Sequence, residues 1–336
     1  MNLQLTCFVL VSALTTGYAV LDGFDLGVGV LYPILARNED ERSVLRTAIG
    51  PVWDGNEVWL ITAGGALFAA FPPVYAMTFS GFYLVIMLVL FALIFRAVAL
   101  EFRHREDRWP VIWDVAFFVG SLVPALLFGV ATGNLIRGVP LSAEGDYAGT
   151  FGELLNPVSL LVGVTGLAMF VQHGAAWAAV KSEGALHARA TRARSIAQAA
   201  FVALVAALTV VAGLTLKSHF HNVTHRPIGW VLVMLLAGGI VWGRWAMVRK
   251  RDRAAFLGSA ASIVALVGLA AVGNYPALVP ARGTPAATGL TVHTASASSL
   301  ALKVMTVLLL VGLALAVVYT VWVYRTFKGK AHAGEY

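Results

Sequence analysis

Charged residues are scarce in this chain and make up only 12% of its 336 positions. Soluble domains carry about 25% charged residues, so this sequence has too few to cover a surface that faces water. Its mean hydropathy is +0.80. The scarcity of charge excludes an ordinary soluble protein and predicts an integral membrane protein.

Cysteine and targeting signals are also nearly missing. Cys7 is the one cysteine, which excludes a disulfide within the chain. No basic stretch precedes the first apolar run, so we read that run as a spanning helix and not as a cleaved signal peptide. The sequence has no Gly-rich phosphate loop, which argues against ATP-driven transport. The net charge of +7 does not form a nucleic-acid footprint, and we predict no nucleic-acid partner.

Nine apolar runs are long enough to cross a bilayer, which takes about 20 residues. The runs are continuous and do not alternate with polar residues, which favours an all-α polytopic protein over a barrel. The second run is the shortest and opens on polar residues. We therefore predict one integral membrane domain, residues 1–336, with nine transmembrane helices at 5–33, 50–71, 74–99, 113–136, 157–180, 196–217, 227–247, 255–277 and 299–324.

The basic residues indicate the orientation of these helices. Of the 24 lysines and arginines, 19 lie in or beside alternate connections and the C-terminal tail. Four lie on the opposite side, at Arg137, Lys217, Arg226 and Arg282, and Lys303 lies just inside the last predicted helix. Loops rich in lysine and arginine stay in the cytoplasm. The pattern predicts an N-terminus outside and a C-terminus in the cytoplasm.

Two pairs of carboxyl groups lie within the apolar runs. Asp22 and Asp25 are in the first predicted helix, and Asp54 and Glu57 are at the start of the second. Each pair has i,i+3 spacing, which places its members on one helix face. Because the connection at 34–49 is short, the two helices are antiparallel neighbours, and the four acids are placed to converge in the cytoplasmic third of the membrane. Ionisable groups at such depth are functional candidates by default.

Three roles remain open for these acids. They can pair structurally, with Arg96 as partner of Asp25 or Asp54; they can carry protons or ions; or they can contact a cofactor or substrate. Gly23 and Gly27 form a close-packing face on the first helix, which favours burial of its acids against protein. Asp114, near the cytoplasmic end of the fourth predicted helix, is expected to pair with nearby arginines.

Histidine is rare within the predicted spans, and His173 is the one example. A pair of membrane-buried histidines that could ligate a haem from both sides is therefore excluded for this chain alone. We expect His173 to hydrogen-bond to a neighbouring helix.

Several stretches together resemble one family, subunit II of the cytochrome bd-type quinol oxidases. They are GYAVLDGFDLGVGVL from residue 17, GPVWDGNEVWLITAGGALFAAFPPVYA from residue 50, FRAVALEFR from residue 95 and LTVHTASASSLALKVMTV from residue 290. The second stretch is long and specific. Glu57 within it stands where some family members have glutamine.

The resemblance implies a subunit of a terminal oxidase in the cytoplasmic membrane of a bacterium or archaeon. Such a complex oxidises membrane quinol, reduces O2 to water and generates a proton motive force without pumping. Subunit I, the implied partner, holds two b-type haems and haem d, so this chain is expected to bind no redox centre itself. The resemblance also implies two four-helix groups plus one peripheral helix. Some members add a structural quinone in subunit II or small single-helix subunits.

The resemblance further suggests roles for individual residues. Asp25 and Asp54, with Glu57 and Asp22 beside them, are candidates for a proton route from the cytoplasm. Trp53, Arg96 and Asp114 match polar or aromatic positions tied to assembly and the haem environment. Two other functions fit the acids as well: an ion-coupled secondary transporter, and a purely architectural subunit.

Overall fold

A computed structural model describes residues 2–103, 108–283 and 289–334. Helices dominate these ranges, with one short antiparallel strand pair in the connection before the last helix. In chain order the elements are α1 (Leu3–Leu35), α2 (Glu39–Ile49), α3 (Trp53–Ala70), α4 (Pro72–Gly81), α5 (Tyr83–Phe102), α6 (Pro110–Arg137), α7 (Phe151–Leu154), α8 (Pro157–Lys181), α9 (Gly184–Thr215), α10 (Lys217–His225), α11 (Pro227–Val248), α12 (Asp252–Asn274), β1 (Ala277–Val279), β2 (Leu290–Thr291) and α13 (Ser299–Thr326).

Eight of the described helices are long and apolar enough to cross a membrane: α1, α5, α6, α8, α9, α11, α12 and α13. The prediction of a polytopic helical membrane protein is therefore confirmed. The second predicted span corresponds to α3, which has 18 residues and opens on Trp53 and Asp54. That polar opening keeps α3 out of the group of eight, and the count of nine stays a prediction.

Three of the predicted helix ranges differ from the structure. The third, 74–99, is divided into α4 and α5 at Phe82, where the ring of Tyr147 packs against Gly81 and leaves no room for a Cβ there. The sixth predicted helix, 196–217, corresponds to α9, which begins twelve residues before the predicted start, at Gly184. Helix α9 extends from the apolar run back into the charged stretch that precedes it. The eighth predicted helix, 255–277, corresponds to α12, which ends at Asn274. Pro276 disfavours a helical conformation at the residue before it, Tyr275.

Helix α2 lies between α1 and α3, in the stretch 34–49 that was predicted only as a short connection. The side chain of Asn38 caps its first turn by accepting from Glu41 N at 2.9 Å. Acidic residues fill that turn, and Arg46 is in the last one. This order complements the helix dipole. An N-cap asparagine followed three residues later by glutamate is a recognisable start signal, and it was available in the sequence.

Helix α1 lies at the centre of the packing. It contacts α3, α6, α8, α12 and α13, while α8, α9, α11 and α12 pack on one another. Gly27 of α1 and Gly174 of α8 meet backbone to backbone, so that a Cβ on either would overlap the other helix. The prediction of a close-packing glycine face on α1 is confirmed. Helix α13 is the most exposed of the long helices.

The C-terminal segment after α13 folds back over the end of the bundle at which α1, α8 and α13 terminate. We call this end the basic end, because α9 and α12 start there with arginines. Lys181 donates its ammonium to Phe327 O at 2.6 Å, and Ala331 N donates to Lys181 O at 2.8 Å. Lys330 donates to Ser182 O at 2.8 Å. The last described residues thus satisfy carbonyls at the end of α8.

Candidate functional site

One arginine and three carboxyl groups meet between α1, α3 and α5. The guanidinium of Arg96 donates to both carboxylate oxygens of Asp22, at 2.7 and 3.1 Å, and to Glu57 Oε1 at 3.1 Å. Asp25 Oδ2 lies 3.9 Å from Arg96 Nη2. The side chains of Arg96, Asp22 and Asp25 are fully buried, and that of Glu57 retains 21% exposure. We call these four residues the acid–arginine cluster.

Local sequence places these side chains on facing helix surfaces. The i,i+3 spacing puts Asp22 and Asp25 on one face of α1. Behind Arg96, α6 approaches α5 so closely that a Cβ at Gly120 would lie 2.8 Å from Arg96 N. The arginine therefore has a tightly packed helix on one side and the acids on the other.

A chain of hydrogen bonds extends the cluster to the last helix. Asn56 donates to Asp25 Oδ2 at 2.8 Å, and the Tyr324 hydroxyl donates to Asn56 Oδ1 at 3.1 Å. Sequence reasoning missed both residues. Asn56 lies inside the WDGNE motif, where its polarity was a signal, whereas nothing in the sequence relates Tyr324 to a residue 268 positions away.

The acid–arginine cluster contains more acidic side chains than basic ones. Three carboxyl groups face one guanidinium, and Asp25 Oδ1 and Arg96 Nε are buried without a hydrogen-bond partner in the described ranges. A buried charge costs several kcal/mol unless it is paired and hydrogen-bonded. The cluster therefore carries two more carboxyl groups than it has cations to balance them.

Asp54 does not join the cluster, contrary to the expectation that all four acids converge. It lies on the exposed face of α3 with Val58 and Ile61, while Glu57 stands at the edge of the buried face. Three residues turn a helix by about 300°, so Asp54 and Glu57 point about 60° apart. The N-cap of α3 is Val52, without a side-chain cap, so Asp54 does not act as the cap either.

The expected partners of Arg96 need a similar correction. Its closest partner is Asp22, with Glu57 next, and Asp25 is only at the 3.9 Å limit of an ion pair. Trp53, the first residue of α3, packs against the apolar core at the basic end. That position fits a structural role near the end of α1.

A second ionic cluster lies at the basic end, and it contains Asp114. Asp114 accepts from Arg103 Nε at 3.0 Å and pairs with Arg42 at 3.1 Å. The prediction that Asp114 pairs with nearby arginines is confirmed. Glu39 of α2 joins Arg46 at 2.9 Å and also contacts Arg103. Partial burial opposes the change, but hydrogen bonds from Arg46 together with the charge of Arg103 hold the pKa of Glu39 below its usual range.

His173 is fully buried and uses both ring nitrogens. Nδ1 lies 2.7 Å from Ser259 Oγ, and Nε2 lies 3.0 Å from Val20 O. The predicted hydrogen bonding to neighbouring helices is confirmed, with α12 and α1 as those helices. Over residues 2–103, 108–283 and 289–334, no group of three or more His, Cys, Asp or Glu side chains is arranged to hold a metal ion.

Comparison of the sequence and the fold with known proteins identifies relatives of this chain. Residues 3–327 match the family model described as cytochrome bd terminal oxidase subunit II. The chain is 38% identical to cytochrome bd-I ubiquinol oxidase subunit 2 of Escherichia coli K12, over 98% of this chain and 95% of that protein. It is 36% identical to cytochrome bd ubiquinol oxidase subunit 2 of Bacillus subtilis 168, over 98% and 96%. A chain in the solved structure of bd oxidase from Geobacillus thermodenitrificans shares the fold, with a TM-score of 0.77 at 17% identity over 97% and 99%.

Proposed function

Because the chain belongs to the cytochrome bd terminal oxidase subunit II family, we propose that it is the second large subunit of a complex that oxidises membrane quinol and reduces O2 to water. The family match over almost the whole chain supports this proposal. Subunit I is the proposed partner and the holder of two b-type haems and haem d. Small single-helix subunits and a structural quinone belong to the same proposal.

The proposed topology has nine spans, with α3 together with the α4–α5 pair as the second and third. The N-terminus is outside and the basic end is in the cytoplasm. The distribution of 19 basic residues supports this orientation. Water formation then draws its protons from the cytoplasm, and the complex generates a proton motive force without pumping.

For this chain's own residues we propose a role in proton delivery, carried by the composition of the acid–arginine cluster. Arg96 balances one carboxylate, and full ionisation would leave two negative charges without a cation in a buried site. A proton on Asp25, the acid farthest from the guanidinium, removes one of these charges. Glu57, which is partly exposed, is the entry from the basic end. Asp54 offers a second entry on the outward face of α3.

An architectural role is the second candidate, and one observation favours it. The two hydrogen bonds between Arg96 and Asp22 fix α1 to α5 whether or not protons move. The ion-coupled transporter rests only on the presence of buried acids, which the family's chemistry also explains.

The test is the turnover of the purified complex with Asp25→Asn, with Asp54→Asn as a second variant. Quinol-driven O2 consumption is divided by the haem content of each preparation. Removal of a proton-transfer group is expected to lower turnover by about 10²-fold at unchanged haem content. Asp40→Asn, in the exposed first turn of α2, is the matched control and should retain full turnover. Wild-type turnover in a fully haem-loaded Asp25→Asn complex would favour the architectural role.

A further inference from the structure

A groove opens at the basic end between the end of α8, the start of α12 and the end of α13. Its volume is about 320 Å³, within the range of about 300–1,000 Å³ typical of small-molecule sites. The wall is aromatic, with Trp177, Phe256, Tyr324 and Phe327. The rim is basic, with Lys181, Arg253 and Lys328, and none of the described residues that line the groove carries a carboxyl group.

Two of the three basic side chains of this rim, Arg253 and Lys328, have no partner among the described residues. Arg253 and Lys328 are exposed and form no hydrogen bond or ion pair within the described ranges. The ammonium of Lys181 lies 5.1 Å from the centre of the Trp177 ring and donates to Phe327 O at 2.6 Å. Asp252, next to Arg253 in the chain, is held by Arg194 and His187, each at 2.9 Å.

The groove also continues toward the interior of the bilayer as apolar surface. Leu257 lines it and is 53% exposed, and Val264, two turns further along α12, is 37% exposed. A residue seven positions on lies on the same helix face. The site therefore combines a cationic rim at the helix ends with an exposed apolar strip that leads away from it.

We propose that this groove binds the headgroup of an anionic membrane phospholipid. The phosphate lies between Arg253 and Lys328, and an acyl chain follows the strip of Leu257 and Val264. Basic pockets between membrane helices are suited to anionic headgroups, and arginine and lysine reach the interface on long apolar stems. A zwitterionic lipid brings an ammonium group of its own, which the rim repels.

The experiment is native mass spectrometry of the purified oxidase complex in delipidating detergent. It is titrated with phosphatidylglycerol and, separately, with phosphatidylcholine of the same acyl chains. The expected result is one site that takes phosphatidylglycerol in preference. Each basic residue near the surface contributes about 1 kcal/mol toward an anionic lipid, so Arg253→Gln with Lys328→Gln should weaken that site about 30-fold.

Arg192→Gln with Arg244→Gln is the matched control. Both arginines are at the basic end, outside the lining of the groove, and their removal subtracts the same charge. This control should bind phosphatidylglycerol within twofold of the unmodified complex. Equal affinity for the two lipids, equal loss in the two double variants, or a protein helix seated in the groove in a map of the complex would each overturn the proposal.

Discussion

Removal of the Arg96 guanidinium tests whether the acid–arginine cluster holds α1, α3 and α5 together. Arg96 is fully buried and donates to Asp22 and Glu57, so Arg96→Gln leaves these acids without their cation. Loss of one partner from a buried ion pair costs about 3–5 kcal/mol. Unfolding entropy for a chain of 336 residues is about 0.7 kcal/mol per degree near the midpoint. The midpoint should therefore fall by about 4–7 °C.

The assay is thermal unfolding of the purified complex, followed by fluorescence of the nine tryptophans of this chain and those of its partner. Arg325→Gln, an exposed arginine on α13, is the control and should shift the midpoint by less than 1 °C. The double variant Asp22→Asn/Arg96→Gln removes both members of the closest pair. It should lose less than the sum of the two single variants, because residues in one network couple by about 0.5–3 kcal/mol. A midpoint for Arg96→Gln equal to that of the control, or strict additivity, would refute the reasoning.

Three further predictions concern packing, pH and topology. Gly27→Val should abolish assembly of the complex, because the valine side chain would overlap α8, whereas Gly64→Val, whose side chain would meet nothing within 4 Å, should assemble normally. The measurement is the yield of each variant that co-purifies with the haem-bearing subunit, and equal yields would contradict the close approach of α1 and α8. The fold holds the pKa of Glu39 below its unfolded value, so its contribution to stability is present above about pH 4.3 and is lost as the pH falls through the lower pKa of the folded state. Glu39→Gln should therefore lower the unfolding midpoint at pH 7 by an amount that shrinks on acidification, and a gap independent of pH would count against this reasoning. The orientation can be tested with single cysteines placed in a Cys7→Ser background. A membrane-impermeant maleimide added to intact cells should label Ala143→Cys, on the outer side, and should not label Asp40→Cys, on the cytoplasmic side. The reverse labelling pattern would mean that the proposed orientation is inverted.

Much of the fold could be predicted from the sequence because lipid imposes one rule along the whole chain. A helix of about 20 apolar residues is needed for each crossing, and long apolar runs therefore located the eight apolar helices. The same rule fails where a helix leaves the membrane. The charged first turns of α9 and the amphipathic α2 are outside the apolar runs, and only cap and charge patterns indicate them.

The candidate site could be predicted in part, but the rotation of each helix about its own axis could not be predicted. Spacing placed Asp22 and Asp25 on one face, and the close-packing glycines indicated that this face is buried. Spacing could not fix how α3 is rotated against α1, and a rotation of 60° decides that Glu57 meets Arg96 while Asp54 faces outward. The contact from Tyr324 depends on where α13 docks, which no local pattern encodes.

The C-terminal segment sets an order of events during synthesis. Lys181 and the end of α8 acquire their partners only after Phe327 and Lys330 have been made, 146 residues later for the first contact. At about 5–20 residues per second, the end of α8 waits about 7–30 s for them. All the apolar helices can enter the membrane before this closure forms. A chain released before Phe327 would thus have its apolar helices in place while the end of α8 still lacks the hydrogen bonds that the C-terminal segment supplies.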